Sequence, residues 1–198
     1  MTEVRTVAVI GAGIVGRGIA HAAALGGYRT ILEDILPNTL RKAETEIRAH
    51  LDQAVELGHV NSADADAAFS RLEYAGSVDE AARKADLVIE AVPDEMESKL
   101  EIFTMLDKFC RPATILASNT SSLRVSEIAS VTYRAKKCVG MRFLNPVYTM
   151  KLLEIVRALE TDDDTLAAAV AVGKRMGKEV VVIKEPTSSP AISVSVRN

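Results

Sequence analysis

Tryptophan is absent and only 4% of the 198 residues are aromatic, so any interior has to be filled with aliphatic side chains. Cysteine is nearly as scarce. Cys110 and Cys138 are too few and too far apart to frame a disulfide scaffold or a zinc site, which leaves two buried thiols and a reducing cytoplasm as the simplest setting. No stretch approaches the roughly 18 apolar residues of a membrane span. The apolar run in MTEVRTVAVIGAG is too short for a signal peptide, so a soluble, unexported chain is expected. Lysine and arginine form no stripe along one helix, and the formal net charge is −3. Nothing in that balance attracts a polyanion, and nucleic acid is not an expected partner.

What is present is ordinary globular material, 48% hydrophobic and 26% charged. A single domain of this size buries roughly 70% of the surface its unfolded chain exposes. Short β-branched runs alternate with stretches of helical period. TVAVI (6–10), TIL (30–32), DLVIEAV (86–92), TILAS (114–118), CVGMRF (138–143) and VVVIK (180–184) read as strands, several of them apolar at nearly every position, as strands covered on both faces are. Residues 14–25, 40–57, 95–109 and 163–176 read as helices. That alternation predicts an α/β fold, a mostly parallel sheet wrapped by helices. A further helical stretch at 63–72 follows the second helix and makes a helical excursion after the second strand. The segment GMRFLNPVYTMKLLE (140–154) starts and ends like a buried strand. Past residue 184 the composition turns to proline, serine and threonine, so residues 1–184 are expected to form one domain and 185–198 a tail or linker.

TVAVIGAGIVGRGIA supplies strand, turn and helix in order, with Gly11, Gly13 and Gly16 spaced as G-x-G-x-x-G. The first glycine permits the tight turn, the second lets backbone amides approach a diphosphate, and the third lets helix and strand pack closely. Phosphates would sit at the positive end of the helix dipole, beside its first residues Ile14 and Val15. Three glycines alone fit an empty crossover equally well. The next strand argues for a dinucleotide, because Glu33 and Asp34 end it about 20 residues downstream, where a carboxylate accepts hydrogen bonds from an adenosine ribose. Alternation sends the two acids to opposite faces, so only one reaches the ribose. A carboxylate there repels a 2′-phosphate, which favours NAD over NADP.

Taken with ILED, DLVIEAVPDEMESKLEIFTMLDKF, TILASNTSSL and GMRFLNPVYTMKLLEIV, the glycine turn makes the chain strongly resemble the NAD-binding domain of the L-3-hydroxyacyl-CoA dehydrogenases, from about residue 4 to residue 184. The resemblance implies a Rossmann-type doubly wound sheet. It also implies NAD-dependent oxidation of the 3-hydroxyl of an acyl-CoA, short-chain members of the family acting on 3-hydroxybutyryl-CoA. Carried over by position, it makes Asp34 the ribose ligand and places Asp94, where the family usually has glutamate, near the nicotinamide side. It makes Lys99 a lining residue of the same cleft. Ser121 matches a serine whose hydroxyl meets the substrate oxygen, with Asn119 beside it, and Asn145 matches the asparagine of an Asn-Pro pair. After a strand like VVVIK the family continues into an all-helical domain that carries a homodimer interface and closes over the acyl chain. That domain is expected to be absent here, as in a truncated, prematurely terminated or frameshifted chain.

One position departs from the family. The reaction needs a general base within hydrogen-bond reach of the substrate hydroxyl. In the family a histidine oriented by a glutamate does this. Glu154 matches the glutamate, but Arg142 stands in the histidine's place, and arginine effectively never deprotonates in proteins. His21, His50 and His59 read as surface or packing residues of the helical segments. Three readings of Arg142 stay open: an ion pair with Glu154 that keeps the site's shape after loss of catalysis, an altered site in which guanidinium stabilises an alkoxide while water carries the proton, or a variant sequence. Three functions are weighed beside them: an acyl-CoA dehydrogenase of reduced activity, a hydroxy-acid dehydrogenase of the L-gulonate type with Arg142 gripping a carboxylate, and a silent NAD-binding module.

Overall fold

A computed structural model describes residues 3–186. Eight strands form one sheet in the order β3-β2-β1-β4-β5-β6-β7-β8, and every neighbouring pair is parallel except β6 and β7. The central strand β1 (Thr6–Ile10) is buried along its whole length, as a continuous apolar run demands. It lies between β2 (Arg29–Glu33) and β4 (Leu87–Glu90), and outward from β4 come β5 (Ile115–Ser118) and β6 (Cys138–Phe143). The chain therefore leaves β1 first to one side and later to the other, which opens a crevice at the carboxyl ends of β1 and β4.

Alternate side chains of β1 enter two separate cores. Val7 and Val9 pack with the long helices α1 (Ile14–Leu25) and α2 (Pro37–Glu56), with α3 (Ser62–Ser70), and with α7 (Asp163–Arg175) near the far edge. Ala8 and Ile10 pack with α4 (Val78–Ala82), α5 (Met96–Phe109) and α6 (Val125–Ala129). Helix starts follow local chemistry. Pro37 opens α2, Asn61 caps α3 by accepting from the Asp64 amide at 2.8 Å, and Asp162 caps α7 by accepting from the Thr165 amide at 2.7 Å.

The expected alternation and the helical excursion are both present. The stretch read as helix over 63–72 ends at Ser70, however, and Leu72 begins β3 (Leu72–Ala75), a parallel edge strand against β2. Four residues, three of them half-buried, carry too little periodicity to announce a strand. The strand-like end of the 140–154 segment is β7 (Leu152–Arg157), and β8 (Glu179–Lys184) closes the sheet beside it. Glu185 and Pro186, read as the start of a tail, are tied down. The Glu185 carboxylate accepts from the Ser126 amide at 3.2 Å, and the Pro186 carbonyl accepts from Arg124. The rest of the expected tail lies outside the described residues.

Candidate active site

A cleft of about 730 Å³ runs along the carboxyl ends of β1, β2, β4, β5 and β6. Gly11, Gly13, Ile14, Val15, Asp34, Asp94, Asn119, Ser121, Arg142 and Asn145 all line it. Residues far apart in sequence thus meet where open parallel sheets take their ligands.

At the β1 end the glycines have distinct jobs. Gly11 holds φ at +97°, in the left-handed region that favours glycine. A Cβ on Gly16 would stand 1.7 Å from the Gly11 carbonyl oxygen, so only hydrogen lets the helix lie this close to the turn. Gly16 therefore acts behind the cleft wall. Gly13 is the opposite case, with no atom within 4 Å of a built Cβ, and it is exposed on the cleft. No side chain caps α1, and its first turn holds no acid, so the amides there remain available to an anion. Asp34 stands across the turn, its two oxygens accepting from the Ala12 amide at 3.0 Å and the Leu36 amide at 2.9 Å. Glu33 points away and is buried, 5% exposed. Burial, and next the charge of Asp34, push its carboxyl up to about 7.

At the other end two loops are laced together. Asp94 Oδ2 accepts from the Ser121 amide at 3.2 Å, the Ser121 hydroxyl at 3.0 Å and the Ser122 hydroxyl at 3.2 Å. Partial burial pushes Asp94 up, but hydrogen bonds from Thr120 and Ser121 and the Lys99 charge outweigh it and hold the carboxyl below its ordinary value. Asn119 Oδ1 accepts from the Phe143 amide at 2.9 Å, joining β5 to β6. Arg142 and Glu154 are register partners across the antiparallel β6–β7 pair, and Arg142 Nη1 donates to Glu154 Oε2 at 3.0 Å. Asn145 precedes Pro146 through a cis peptide bond.

Lys99 departs from its expected place. Instead of lining the cleft it lies wholly buried beneath it, its ammonium 2.7 Å from Glu90 Oε1, 3.0 Å from Oε2 and 3.2 Å from the Asn119 carbonyl oxygen. Ser118 donates to the same Glu90 at 2.7 Å. Burial pushes Glu90 upward while Lys99, Ser118 and the Val92 amide pull it back, and burial prevails. Helical register gave the position of Lys99 along α5 but not its depth. The signal that could have found this network is Glu90 itself, a carboxylate inside an apolar run, which has to find a cation or donors.

Among the described residues no histidine lines the cleft. His21 and His50 instead sandwich Tyr148, with ring centroids 4.8 Å and 3.8 Å away, so the packing role read for them fits. Burial, and next the charge of His50, push His21 down to about 4. Among the described residues no group of three His, Cys, Asp or Glu side chains is arranged to hold a metal ion.

Residues 6–186 match the family model of the 3-hydroxyacyl-CoA dehydrogenase NAD binding domain. The chain belongs to this family. It is 38% identical over 183 residues to a probable 3-hydroxybutyryl-CoA dehydrogenase of Bacillus subtilis (strain 168), covering 92% of this chain and 63% of that protein. A 3-hydroxybutyryl-CoA dehydrogenase of Bradyrhizobium diazoefficiens is 36% identical over 182 residues, 92% of this chain and 62% of its own. Among solved structures, (S)-3-hydroxybutyryl-CoA dehydrogenase from Ralstonia eutropha superposes with a TM-score of 0.89 at 35% identity, over 93% of this chain and 65% of that one. The chain thus spans less than two thirds of the length of these relatives. The cleft fits the cofactor its family binds: uncapped amides and an open Gly13 for a diphosphate, and a carboxylate at the end of β2 for a ribose.

Proposed function

We propose that this domain serves NAD-dependent oxidation of the 3-hydroxyl of a short-chain L-3-hydroxyacyl-CoA to the 3-ketoacyl-CoA. The observation that carries the reading is the convergence, in one cleft, of the glycine turn with Asp34 at one end and Ser121, Asn119 and Arg142 at the other. The amides around Gly11, Gly13, Ile14 and Val15 hold the diphosphate, with Gly16 setting how closely the helix approaches. Asp34 takes the adenosine ribose, although its present bonds to Ala12 and Leu36 leave only its remaining lone pairs for the sugar. Asp94, Asn119 and Asn145 border the nicotinamide half, and Lys99 supports them from below. When bound, the oxidised nicotinamide accepts the hydride.

Ser121 meets the substrate oxygen. Arg142, which cannot serve as a base, places positive charge where that oxygen becomes an alkoxide, and Glu154 fixes the guanidinium's direction. NAD reduction with 3-hydroxybutyryl-CoA, and NADH oxidation with acetoacetyl-CoA, test the reading. Turnover in both directions and a faster Arg142→His variant are the expected results. Arg142 also keeps donors beyond the one given to Glu154, which favours a second reading, a hydroxy-acid substrate gripped through its carboxylate; turnover of L-gulonate exceeding that of the thioester would select it. Cofactor binding without turnover on either substrate would mark a silent NAD-binding module. For the whole protein we further propose a cytoplasmic homodimer whose interface lies in a following helical domain. The two free, buried thiols suit a reducing compartment, and light scattering on the whole protein tests the dimer.

A further inference from the structure

The oxidation releases a proton, and the cleft holds no side chain that ordinarily titrates near neutrality. Among the described residues its lining carboxylates are Asp34 and Asp94. Asp34 is bound to two amides at the far, β2 end. Glu154 stands behind Arg142 with one oxygen committed to it. Asp94 is bonded directly to the Ser121 hydroxyl, the oxygen donating to the carboxylate at 3.0 Å, and its side chain is 33% exposed. From this geometry we infer that Asp94 is the proton acceptor, reached through Ser121.

The step balances without any further reagent. As the C–H bond at carbon 3 breaks and its electron pair leaves as hydride for the oxidised nicotinamide, the substrate O–H proton passes to Ser121 Oγ. The proton already on Ser121 moves to Asp94 Oδ2, and the substrate oxygen closes the carbonyl. Reduction runs the same relay backwards. A carboxylate is a weak base, and the arrangement compensates for that. Arg142 in the same cleft lowers the cost of the alkoxide, so a weaker acceptor suffices. The groups around Asp94 set its working range: Lys99 of α5 at 3.7 Å, itself shared with Glu90 of β4, the hydroxyls of Thr120, Ser121 and Ser122, and Arg142 with Glu154 across the cleft. All but the two glutamates favour the charged form. The relay therefore keeps working in acid where an imidazole would already be protonated.

This inference rests on the dehydrogenase reading, and one set of measurements separates the two. Oxidation of 3-hydroxybutyryl-CoA by NAD is followed from pH 8 to pH 5 for the unmodified chain, Asp94→Asn, Arg142→His and the double variant, with NADH affinity measured by fluorescence for each. The relay predicts a kcat that stays level down to pH 5 in the unmodified chain and a loss of kcat of about 100-fold or more in Asp94→Asn, measured at saturating NAD and larger than any accompanying loss of NADH affinity. It also predicts recovery in the double variant, with a new fall in rate as pH drops through roughly 6.5. The level profile needs no variant, so poor folding of Asp94→Asn leaves the test standing. Asp94→Asn turning over like the unmodified chain overturns the relay and leaves the dehydrogenase intact. So does a chain that is inert until Arg142→His is introduced. Inactivity of both the unmodified chain and Arg142→His overturns relay and reading together.

Discussion

Glu90 and Lys99 are both wholly buried, and a buried pair is asymmetric in its energetics. Removing one partner strands the other charge in a poorly solvating interior, whereas removing both leaves an apolar gap that side chains can fill. Lys99→Met is expected to destabilise the domain by about 3–5 kcal/mol. The double change to Lys99→Met with Glu90→Leu should recover most of that, both read from urea denaturation. Because Lys99 also holds the Asn119 carbonyl, the single variant should loosen the β5 end of the cleft as well. Glu33 gives a second prediction, on pH. Its folded carboxyl lies near 7, above the ordinary 4.5, so between those values the unfolded chain releases a proton that the native chain retains. Stability from this residue is full below about 4.5 and is lost as pH rises towards 7. Glu33→Gln should flatten that slope in thermal melts taken across the interval. An unaltered slope would place the titrating group elsewhere.

The elements follow local rules that can be tested one at a time. Asp162→Ala removes the cap of α7 and should cost about 1 kcal/mol in denaturant unfolding, with no effect on the cleft, because Asp162 lies by Lys136 at the amino end of β6 and the cleft at the carboxyl ends of the strands. Gly16→Ala is a different kind of change. Its Cβ meets backbone at 1.7 Å, so helix α1 has to move away from the turn, and both stability and cofactor affinity should fall together. These elements also differ in how far the amino-acid sequence foretells them. β1 and the helices α1, α2, α5 and α7 are legible because long apolar periods and punctuating residues agree. β3, α4 and α6 are not, since four or five residues carry no period and their conformation is dictated by what they pack against. At the site, spacing along the chain leaves Glu33 and Asp34 both open; it is the family resemblance that names Asp34, Ser121, Arg142 and Glu154, and an ion pair between the last two is one of three readings it allows. Which way a side chain leaves its helix is a tertiary fact, which is why the resemblance puts Lys99 in the cleft, and so is which loops meet, which is why nothing along the chain foretells the bond between Asp94 and Ser121, each in a loop after a different strand.

At the scale of the molecule the sheet does two things at once. Its centre is closed by helices on both faces, while its ends are left to gather loops from five strands around a single cleft. The far side is less finished: β8 exposes Val181, Val182 and Ile183 at 48%, 47% and 40%, next to the point at which the family match ends. What the domain is built to do, on this account, is hold a dinucleotide, and every chemical proposal above depends on that. Gly13 offers the most direct test because a methyl group there meets no protein atom within 4 Å, yet enters the space assigned to the diphosphate. Calorimetric titration of NADH into the unmodified chain and into Gly13→Ala should show binding in the first and a loss of at least about tenfold in the second, equivalent to 1.4 kcal/mol, with unchanged melting temperatures. No heat from the unmodified chain, or equal affinity in the two, would contradict it.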